Sequence, residues 1–387
     1  MNLLITAMSS ATVPSVICKH AYNLIRCAAS RREVLRITLT IGKWQEPYFR
    51  SSFKLEDAKL GVVSVDIAND TFSRNLWHLQ DLPILTDNLA ADIVHLSFPV
   101  PIRRSALRCP VVVSLHDLCP YDEIDNFGFP KIFFNRVFLR QCLNEVDCVA
   151  CVSETTLSRL KVHFPRIAHK KAVVVHNCTT IQSNELMVPA CERCQFVLVV
   201  AQHCANENIP LAVEVFEDLL QEGKVNKEML LFLVSNHGQG TAAIGSDIKR
   251  RALKKRIKLV AGVNDGELRW LYENCELLIV PSLMGGCDLL VVEGLLCGSR
   301  VVCPDIPVFR EIGGKACHYF DLHAESISSA MVAAVCHALA EPARPAERLD
   351  RFSIETIARE YATLYVQLRE GALDVVEGER EVGHATN

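Results

Sequence analysis

The sequence has no long apolar run and no marked excess of charge of either sign. No stretch approaches the roughly 20 consecutive apolar residues that a helix needs to cross a bilayer. The 41 lysines and arginines nearly balance the 45 aspartates and glutamates, which gives a formal net charge of -4. A general nucleic-acid binder carries a basic face that neutralises phosphates, so this balance excludes that class. Half of the residues are hydrophobic, which also excludes an acidic disordered protein.

Two sequence signals are missing near the amino terminus. The first residues lack the basic segment of a secretory signal and instead predict a strand, so an exported binding protein is not expected. The loop after that strand lacks the glycine-rich fingerprint of dinucleotide-binding enzymes, which argues against a sugar epimerase.

Cysteine is abundant, with 17 residues, an odd number. Disulfide frameworks belong to short secreted chains, and many of these cysteines lie inside apolar runs, so we interpret them as small buried hydrophobic residues of a reduced, cytoplasmic protein. The pairs Cys148/Cys151 and Cys191/Cys194 have the spacing of zinc half-sites. Paired zinc half-sites usually lie about 15–20 residues apart, whereas these are about 40 apart, so no metal is predicted.

Short apolar runs alternate with longer helical patterns, which predicts βαβ units and an α/β fold. The length predicts two domains, each with a doubly wound parallel sheet, and ligands of such sheets bind beyond the carboxyl ends of the strands. We therefore expect two Rossmann-like domains that face a cleft. The predicted boundaries are a first domain at 1–178, a linker at 179–194, a second domain at 195–350, a closing helix at 351–370 and a disordered tail at 371–387.

The most specific motif lies at 277–311. Its frame is Pro281-Ser282, Glu293-Gly294 and Gly298-x-x-Val301-Val302, and it resembles the family 4 (group 1) nucleotide-sugar glycosyltransferases of the B-type, two-Rossmann fold. Further landmarks of that family are found at 93–95, 114–118, 152–154, 174–177, 260–268 and 352–361. The resemblance implies transfer of a sugar, with retention of configuration, from a nucleotide-sugar to a glycan or lipid-linked acceptor. It implies no cofactor and no metal, and it leaves peripheral contact with the inner face of a membrane open.

The resemblance also assigns site residues. In the family, the histidine at the position of His116, followed here by Asp117, lies beside the transferred sugar, and the glutamate at the position of Glu293 contacts the ribose. The helix start at Asp288, Leu289 and Leu290 would hold the diphosphate, because the first turn of a helix offers unbonded N–H groups and a positive dipole end. The remaining predicted donor contacts are Lys19, Gln202 and Asn206.

Several positions depart from the family pattern. Gln202, Cys204 and Asn206 occupy the places where a basic residue could fall, and Glu207 occupies the place of a lysine. Gly285 stands eight residues before Glu293, where the family has its first glutamate. Asp288 could direct a carboxylate at the sugar in its place, or could simply cap the next helix.

The loop after the first strand, at 11–20, contains no glycine, although the family uses glycines there to approach the phosphates. These departures leave two hypotheses. The chain is either an active glycosyltransferase, or a catalytically impaired relative that acts as a binding or scaffold protein.

Overall fold

The computed structural model describes residues 1–13, 15–122, 131–179, 194–201, 205–235, 241–283, 289–347 and 349–371. The chain forms two compact units. The first unit comprises Met1–Val152, Thr156–Val175 and the chain from Ala358 onward. The second unit comprises Ser153–Thr155 and His176–Ile357.

The first unit contains a seven-stranded sheet whose described pairs are all parallel, with the order β3-β2-β1-β4-β5-β6-β7. The central strands are short, rich in Val, Ile and Leu, and buried, as expected when helices cover both faces of a parallel sheet. The strands are β1 Asn2–Thr6, β2 Arg36–Gly42, β3 Leu60–Val65, β4 Ile93–Leu96, β5 Val111–Leu115, β6 Cys148–Cys151 and β7 Ala172–Val174.

Among the described residues, these strands are connected or followed by the helices α1 Val16–Ala29, α2 Glu46–Ser52, α3 Thr71–Asn88, α4 Cys119–Asp122, α5 Lys131–Glu145, α6 Glu154–His163 and α7 Pro165–Lys171. Side chains on the strands pack against α3 and α5 in one core cluster that includes Leu82, Leu115 and Leu143. The last helix of the described chain, α14 Ile354–Glu370, places Tyr361 and Tyr365 against His95 of β4.

The second unit contains a six-stranded sheet with the order β10-β9-β8-β11-β12-β13, again with parallel pairs. Two core clusters cover its two faces. The strands are β8 Phe196–Val200, β9 Leu230–Val234, β10 Ile257–Val260, β11 Leu277–Ile279, β12 Val301–Pro304 and β13 Cys317–Phe320. The helices are α8 Ile209–Gln221, α9 Thr241–Arg250, α10 Asp265–Asn274, α11 Leu289–Leu296, α12 Pro307–Gly313 and α13 Ile327–Ala340.

The α/β class with two doubly wound sheets is confirmed. Strand β13 was not predicted from the sequence. Helix α9 ends at Arg250, shortly before Ala252, whose left-handed backbone stops a helix. The exact domain boundaries stay predictions: residues 180–193 of the expected linker and 372–387 of the expected tail lie outside the described residues.

The cysteines of the described chain form no disulfide; nine of them are buried and five are half-buried. Cys148 and Cys151 both belong to β6, three residues apart, so their side chains project from opposite faces of the sheet and cannot act as one chelating pair. Among the described residues, no helix combines the length and the apolar character that crossing a membrane requires.

Candidate functional site

His116 lies directly after the carboxyl end of β5, at the sheet edge where ligands of doubly wound domains bind. Its Nε2 is 2.9 Å from the carbonyl oxygen of Ser97, which follows the neighbouring strand β4. Because a carbonyl can only accept, Nε2 carries the proton and donates it. Burial lowers the pKa of His116, so the ring is neutral near pH 7 and Nδ1 presents a lone pair. Nδ1 has no hydrogen-bond partner among the described residues.

A buried chain of polar side chains lies behind His116. The ring of His20 meets that of His116 edge-on at 4.6 Å between centroids, and its Nε2 is 2.8 Å from Ser114 Oγ. His95 Nε2 is also 2.8 Å from Ser114 Oγ, and His95 Nδ1 is 2.5 Å from the hydroxyl of Tyr365. Ser114 and His95 are fully buried, so each bond stabilises a group that water cannot reach.

Burial lowers the pKa of His95 to about 3 and raises the pKa of Tyr365, so both groups are neutral. The hydroxyl groups of Tyr365 and Ser114 each donate or accept, so the hydrogen bonds along this chain can run in either direction. The arrangement fixes three ring and hydroxyl orientations that support His116 from behind.

The glycine-free loop after β1 is held by side chains from the segment after β2. Trp44 Nε1 donates to the carbonyl of Ser9 at 3.1 Å, and Gln45 Nε2 donates to the carbonyl of Ala7 at 3.0 Å. Gln45 also donates to the hydroxyl of Tyr48 at 2.9 Å. These bonds give the loop a defined path without glycine. Lys19 lies half-buried in α1, which follows this loop.

Asp117 is exposed, and its side chain serves the local backbone. Its Oδ1 accepts a hydrogen bond from the backbone N–H of Cys119 at 3.0 Å, at the start of the short helix α4. This is a typical aspartate turn that initiates a helix. The predicted catalytic role of Asp117 stays a prediction beside this local structural role.

Glu293 lies in α11 and is fully buried. Its Oε1 accepts a hydrogen bond from the hydroxyl of Thr179 at 3.1 Å, and its Oε2 accepts one from the hydroxyl of Tyr272 at 3.3 Å. The carboxyl group therefore ties the segment around Thr179 and helix α10 to α11.

The loops that follow strands β8 and β11 are bonded to each other at the carboxyl edge of the second sheet. The hydroxyl of Ser282 donates to Glu207 Oε2 at 2.6 Å, and the backbone N–H of Leu283 donates to the carbonyl of Asn206 at 2.9 Å. Burial raises the pKa of Glu207, and the hydrogen bond from Ser282 opposes that shift. Between 205 and 208 the chain supplies no cation.

Helix α11 begins at Leu289, so Leu289 and Leu290 form its first turn, and both are half-buried. The first N–H groups of any helix lack partners within the helix, which makes this turn a suitable contact for an anion. The predicted donor contacts Gln202 and Asp288 lie outside the described residues.

Sequence reasoning did not assign roles to the groups that support His116 and Glu293. Ser114, His95 and Ser97 lie in or directly after apolar strands, and a polar side chain inside a buried strand requires a partner. That signal marks these residues but cannot name the partners, because Tyr365 lies 270 positions from His95 along the chain. Thr179 and Tyr272, the hydroxyl donors to Glu293, had no comparable signal.

Two family models match the chain. One describes Glycosyltransferase Family 4 and matches residues 19–182, and the other describes Glycosyl transferases group 1 and matches residues 194–341. The chain therefore belongs to the family 4/group 1 glycosyltransferases, and its fold is of the B type.

Two curated glycosyltransferases match parts of the chain at low sequence identity. The O-antigen chain mannosyltransferase RfbU of Salmonella typhimurium is 22% identical over 201 residues, which are 52% of this chain and 53% of RfbU. The uncharacterized glycosyltransferase MJ1178 of Methanocaldococcus jannaschii is 20% identical over 233 residues, 57% of this chain and 58% of that protein. The match spans about half the length of these two relatives.

Solved structures share the fold over nearly the whole chain. A sucrose-phosphate synthase from Thermosynechococcus elongatus aligns with a TM-score of 0.74 at 14% identity, covering 96% of this chain and 100% of that one. The Anabaena protein HepE, solved in complex with UDP-glucose, aligns with a TM-score of 0.63 at 14% identity, covering 96% of this chain and 98% of that one.

Proposed function

We propose that the chain transfers a hexose from a nucleotide-sugar to a hydroxyl of a glycan or lipid-linked saccharide, with retention of the anomeric configuration. The observation that supports this proposal is the state of His116. Its imidazole is neutral and lies at the carboxyl edge of a doubly wound sheet, with Nε2 bonded to Ser97 and Nδ1 without a partner among the described residues. The similarity to RfbU, a mannosyltransferase, and to HepE, solved in complex with UDP-glucose, supports a hexosyl nucleotide as the donor class.

His116 would position the transferred sugar. Its Nε2–H is held by the Ser97 carbonyl, so Nδ1 can accept a hydrogen bond from a sugar hydroxyl. The hydroxyl of Ser97 is buried and has no partner among the described residues, which makes it a second group that a ligand could satisfy. The network from Tyr365 to His20 would keep the His116 ring from turning.

The second unit would bind the nucleotide. Glu293 would accept from the ribose hydroxyls, and the first turn of α11 at Leu289 and Leu290 would donate N–H groups to the diphosphate. The bond between the anomeric carbon and the diphosphate oxygen breaks while negative charge grows on the diphosphate. N–H groups oriented toward that charge stabilise the transition state more than the ground state. The acceptor hydroxyl oxygen forms the new bond to the anomeric carbon from the same face, and its proton passes to the departing diphosphate oxygen.

We place the reaction in the cytoplasm, because abundant free cysteines, most of them buried in the described chain, are typical of a reducing compartment. A lipid-linked acceptor would bring the protein to the inner face of a membrane. Sedimentation with vesicles that carry such an acceptor, compared with bare vesicles, tests this location.

The direct test is release of nucleoside diphosphate across a panel of UDP-, GDP- and ADP-hexoses with saccharide acceptors. We expect His116→Ala to lower kcat by about 10² or more, the size typical for loss of one preorganised catalytic contact. His169→Ala, which removes an exposed histidine of the same unit, is the matched control. Turnover no higher than that of a His116→Ala/Glu293→Ala double variant would reject an active enzyme, and NMR of the product anomer tests retention.

A second candidate is a catalytically impaired relative that binds a nucleotide or a glycan. The observation that favours it is Glu207, which stands at the position of the family's lysine and is bonded to Ser282. Calorimetry separates the two candidates, because an impaired site would bind nucleotide weakly, and Glu207→Lys would then increase the affinity. Two further substitutions, Cys204→Arg and Gly285→Glu, restore the family's residues at positions that lie outside the described residues. If Glu207→Lys leaves both affinity and turnover unchanged, the missing cation does not limit the site.

A further inference from the structure

Three ligand-type side chains converge at the edge of the second sheet, away from the residues considered above. His318 lies in the edge strand β13, beside Val302 of β12. His337 lies in the last turn of α13, and Glu341 directly follows that helix. One potential ligand atom from each of the three lies within 4.8 Å of the other two.

The two histidine rings face each other nitrogen to nitrogen. His318 Nδ1 is 3.1 Å from His337 Nδ1, and His337 Nε2 is 3.3 Å from Glu341 Oε1. A tetrahedral zinc ion holds histidine nitrogens at about 2.0–2.1 Å, which places two such nitrogens roughly 3.3–3.4 Å apart. The 3.1 Å separation of the two Nδ1 atoms is close to one edge of such a tetrahedron. Glu341 lies nearest the other nitrogen of His337, so its carboxylate has to move toward Nδ1 to join the same ion.

Arg344 orients the carboxylate. It donates to Glu341 Oε2 through two nitrogens, one of them at 3.1 Å, which leaves Oε1 on the side of His337. A ligating carboxylate commonly has its second oxygen bonded to a neighbouring donor that fixes its direction. The positive charge of Arg344 opposes a cation, but its contact with Oε2 places that charge behind the carboxylate.

Space for further ligands is available. An open cleft of about 600 Å³ borders the cluster. Its lining includes His318 and His337, together with the cationic side chains of Arg310, Lys315 and Arg344. The side chain of His337 is 58% exposed and that of Glu341 is 38% exposed, so both can adjust by the small distances that closure around an ion needs. Water from the cleft can complete the coordination.

We propose that His318, His337 and Glu341 form a binding site for a divalent transition-metal ion, with Zn²⁺ as the best match to two imidazoles and one carboxylate. The site is distinct from the proposed nucleotide site, because His318 pairs with the amino-terminal half of β12, whereas α11 begins after the carboxyl end of β11. A bound ion would clip the end of α13 to the unprotected edge strand β13. This goes beyond the proposed function and does not depend on it.

The test is calorimetric titration of the metal-free full chain with Zn²⁺, supported by Co²⁺ absorption. We expect one ion at micromolar affinity, a rise in Tm on binding, and the visible absorption of nitrogen- and oxygen-bound Co²⁺. His337→Ala and Glu341→Gln should each weaken binding at least about tenfold, since each removes one of three protein ligands. His323→Ala, which removes an exposed histidine from the loop before α13, should change nothing.

The cysteines make a strict control necessary. Co²⁺ bound by thiolates shows an additional charge-transfer band in the near ultraviolet, which a site of nitrogen and oxygen ligands lacks. Absence of Zn²⁺ binding, or binding of equal strength in a His318→Ala/His337→Ala double variant, would overturn the assignment. The same would follow from a thiolate band of full intensity.

Discussion

Removal of either hydroxyl that donates to Glu293 should destabilise the second unit measurably. Thr179→Val and Tyr272→Phe keep the shape of each side chain and delete only the donor. Glu293 is fully buried, so water cannot replace the lost bond. An unsatisfied buried polar group costs about 1–3 kcal/mol, and we expect each variant to lose that much unfolding free energy. For a unit of this size the loss lowers Tm by about 2–12 °C.

Urea unfolding followed by circular dichroism measures the effect, and a double-mutant cycle assigns it. In a Glu293→Leu background the same two substitutions should cost much less, because the acceptor is gone. Ser246→Ala, which deletes an exposed hydroxyl bonded within α9, should stay within about 0.5 kcal/mol of the wild type. Losses below about 0.5 kcal/mol for both variants, or equal losses in the Glu293→Leu background, would refute the reasoning.

Three further predictions concern other buried groups. Tyr365→Phe should lower the unfolding free energy by about 1–3 kcal/mol and change the ¹⁵N ring signals of His95, because it removes the hydroxyl bonded to Nδ1; unchanged ¹⁵N ring shifts would contradict this hydrogen bond. Glu207→Gln should raise Tm at pH 8 and leave it unchanged at pH 4, since a raised folded-state pKa makes ionisation above the unfolded pKa of the carboxyl group destabilising; a Tm difference that is the same at both pH values would exclude this linkage. Gly294→Ala should cost about 1–3 kcal/mol in urea unfolding, because a Cβ there would lie 2.6 Å from Leu278 Cδ2, and the companion change Leu278→Val should recover part of the loss.

The strands of both sheets were largely predictable because a buried parallel strand is a short run of Val, Ile and Leu between turns. Four of the predicted ranges, 93–96, 111–115, 196–200 and 257–260, match the observed strands residue for residue. Strand β13 was missed because its four residues include His318 and a half-buried Tyr319, so its pattern is neither continuous nor alternating. Its position is fixed by pairing with β12, which is tertiary information.

Part of the site was visible in the sequence because the family motif carries it. The frame around Glu293 and His116 identified the two sheet edges. The hydrogen bonds from Thr179 and Tyr272, and the chain that ends at Tyr365, join positions far apart in the sequence and depend on packing that no local pattern specifies. Asp117 is the converse case. The motif marks it as a site residue, but its side chain accepts a hydrogen bond from the adjacent backbone.

The central claim is that this chain binds a nucleotide-sugar and transfers its sugar. Calorimetric titration with UDP-, GDP- and ADP-hexoses measures the binding of the nucleotide-sugar directly. Glu293→Ala is the paired variant, and Glu325→Gln, which changes an exposed glutamate of the same unit, is the control. We expect micromolar binding of at least one donor. Glu293→Ala should weaken this binding at least about tenfold, and Glu325→Gln should leave it unchanged. Absence of binding for every donor at millimolar concentration, or equal binding by the Glu293→Ala variant, would contradict it.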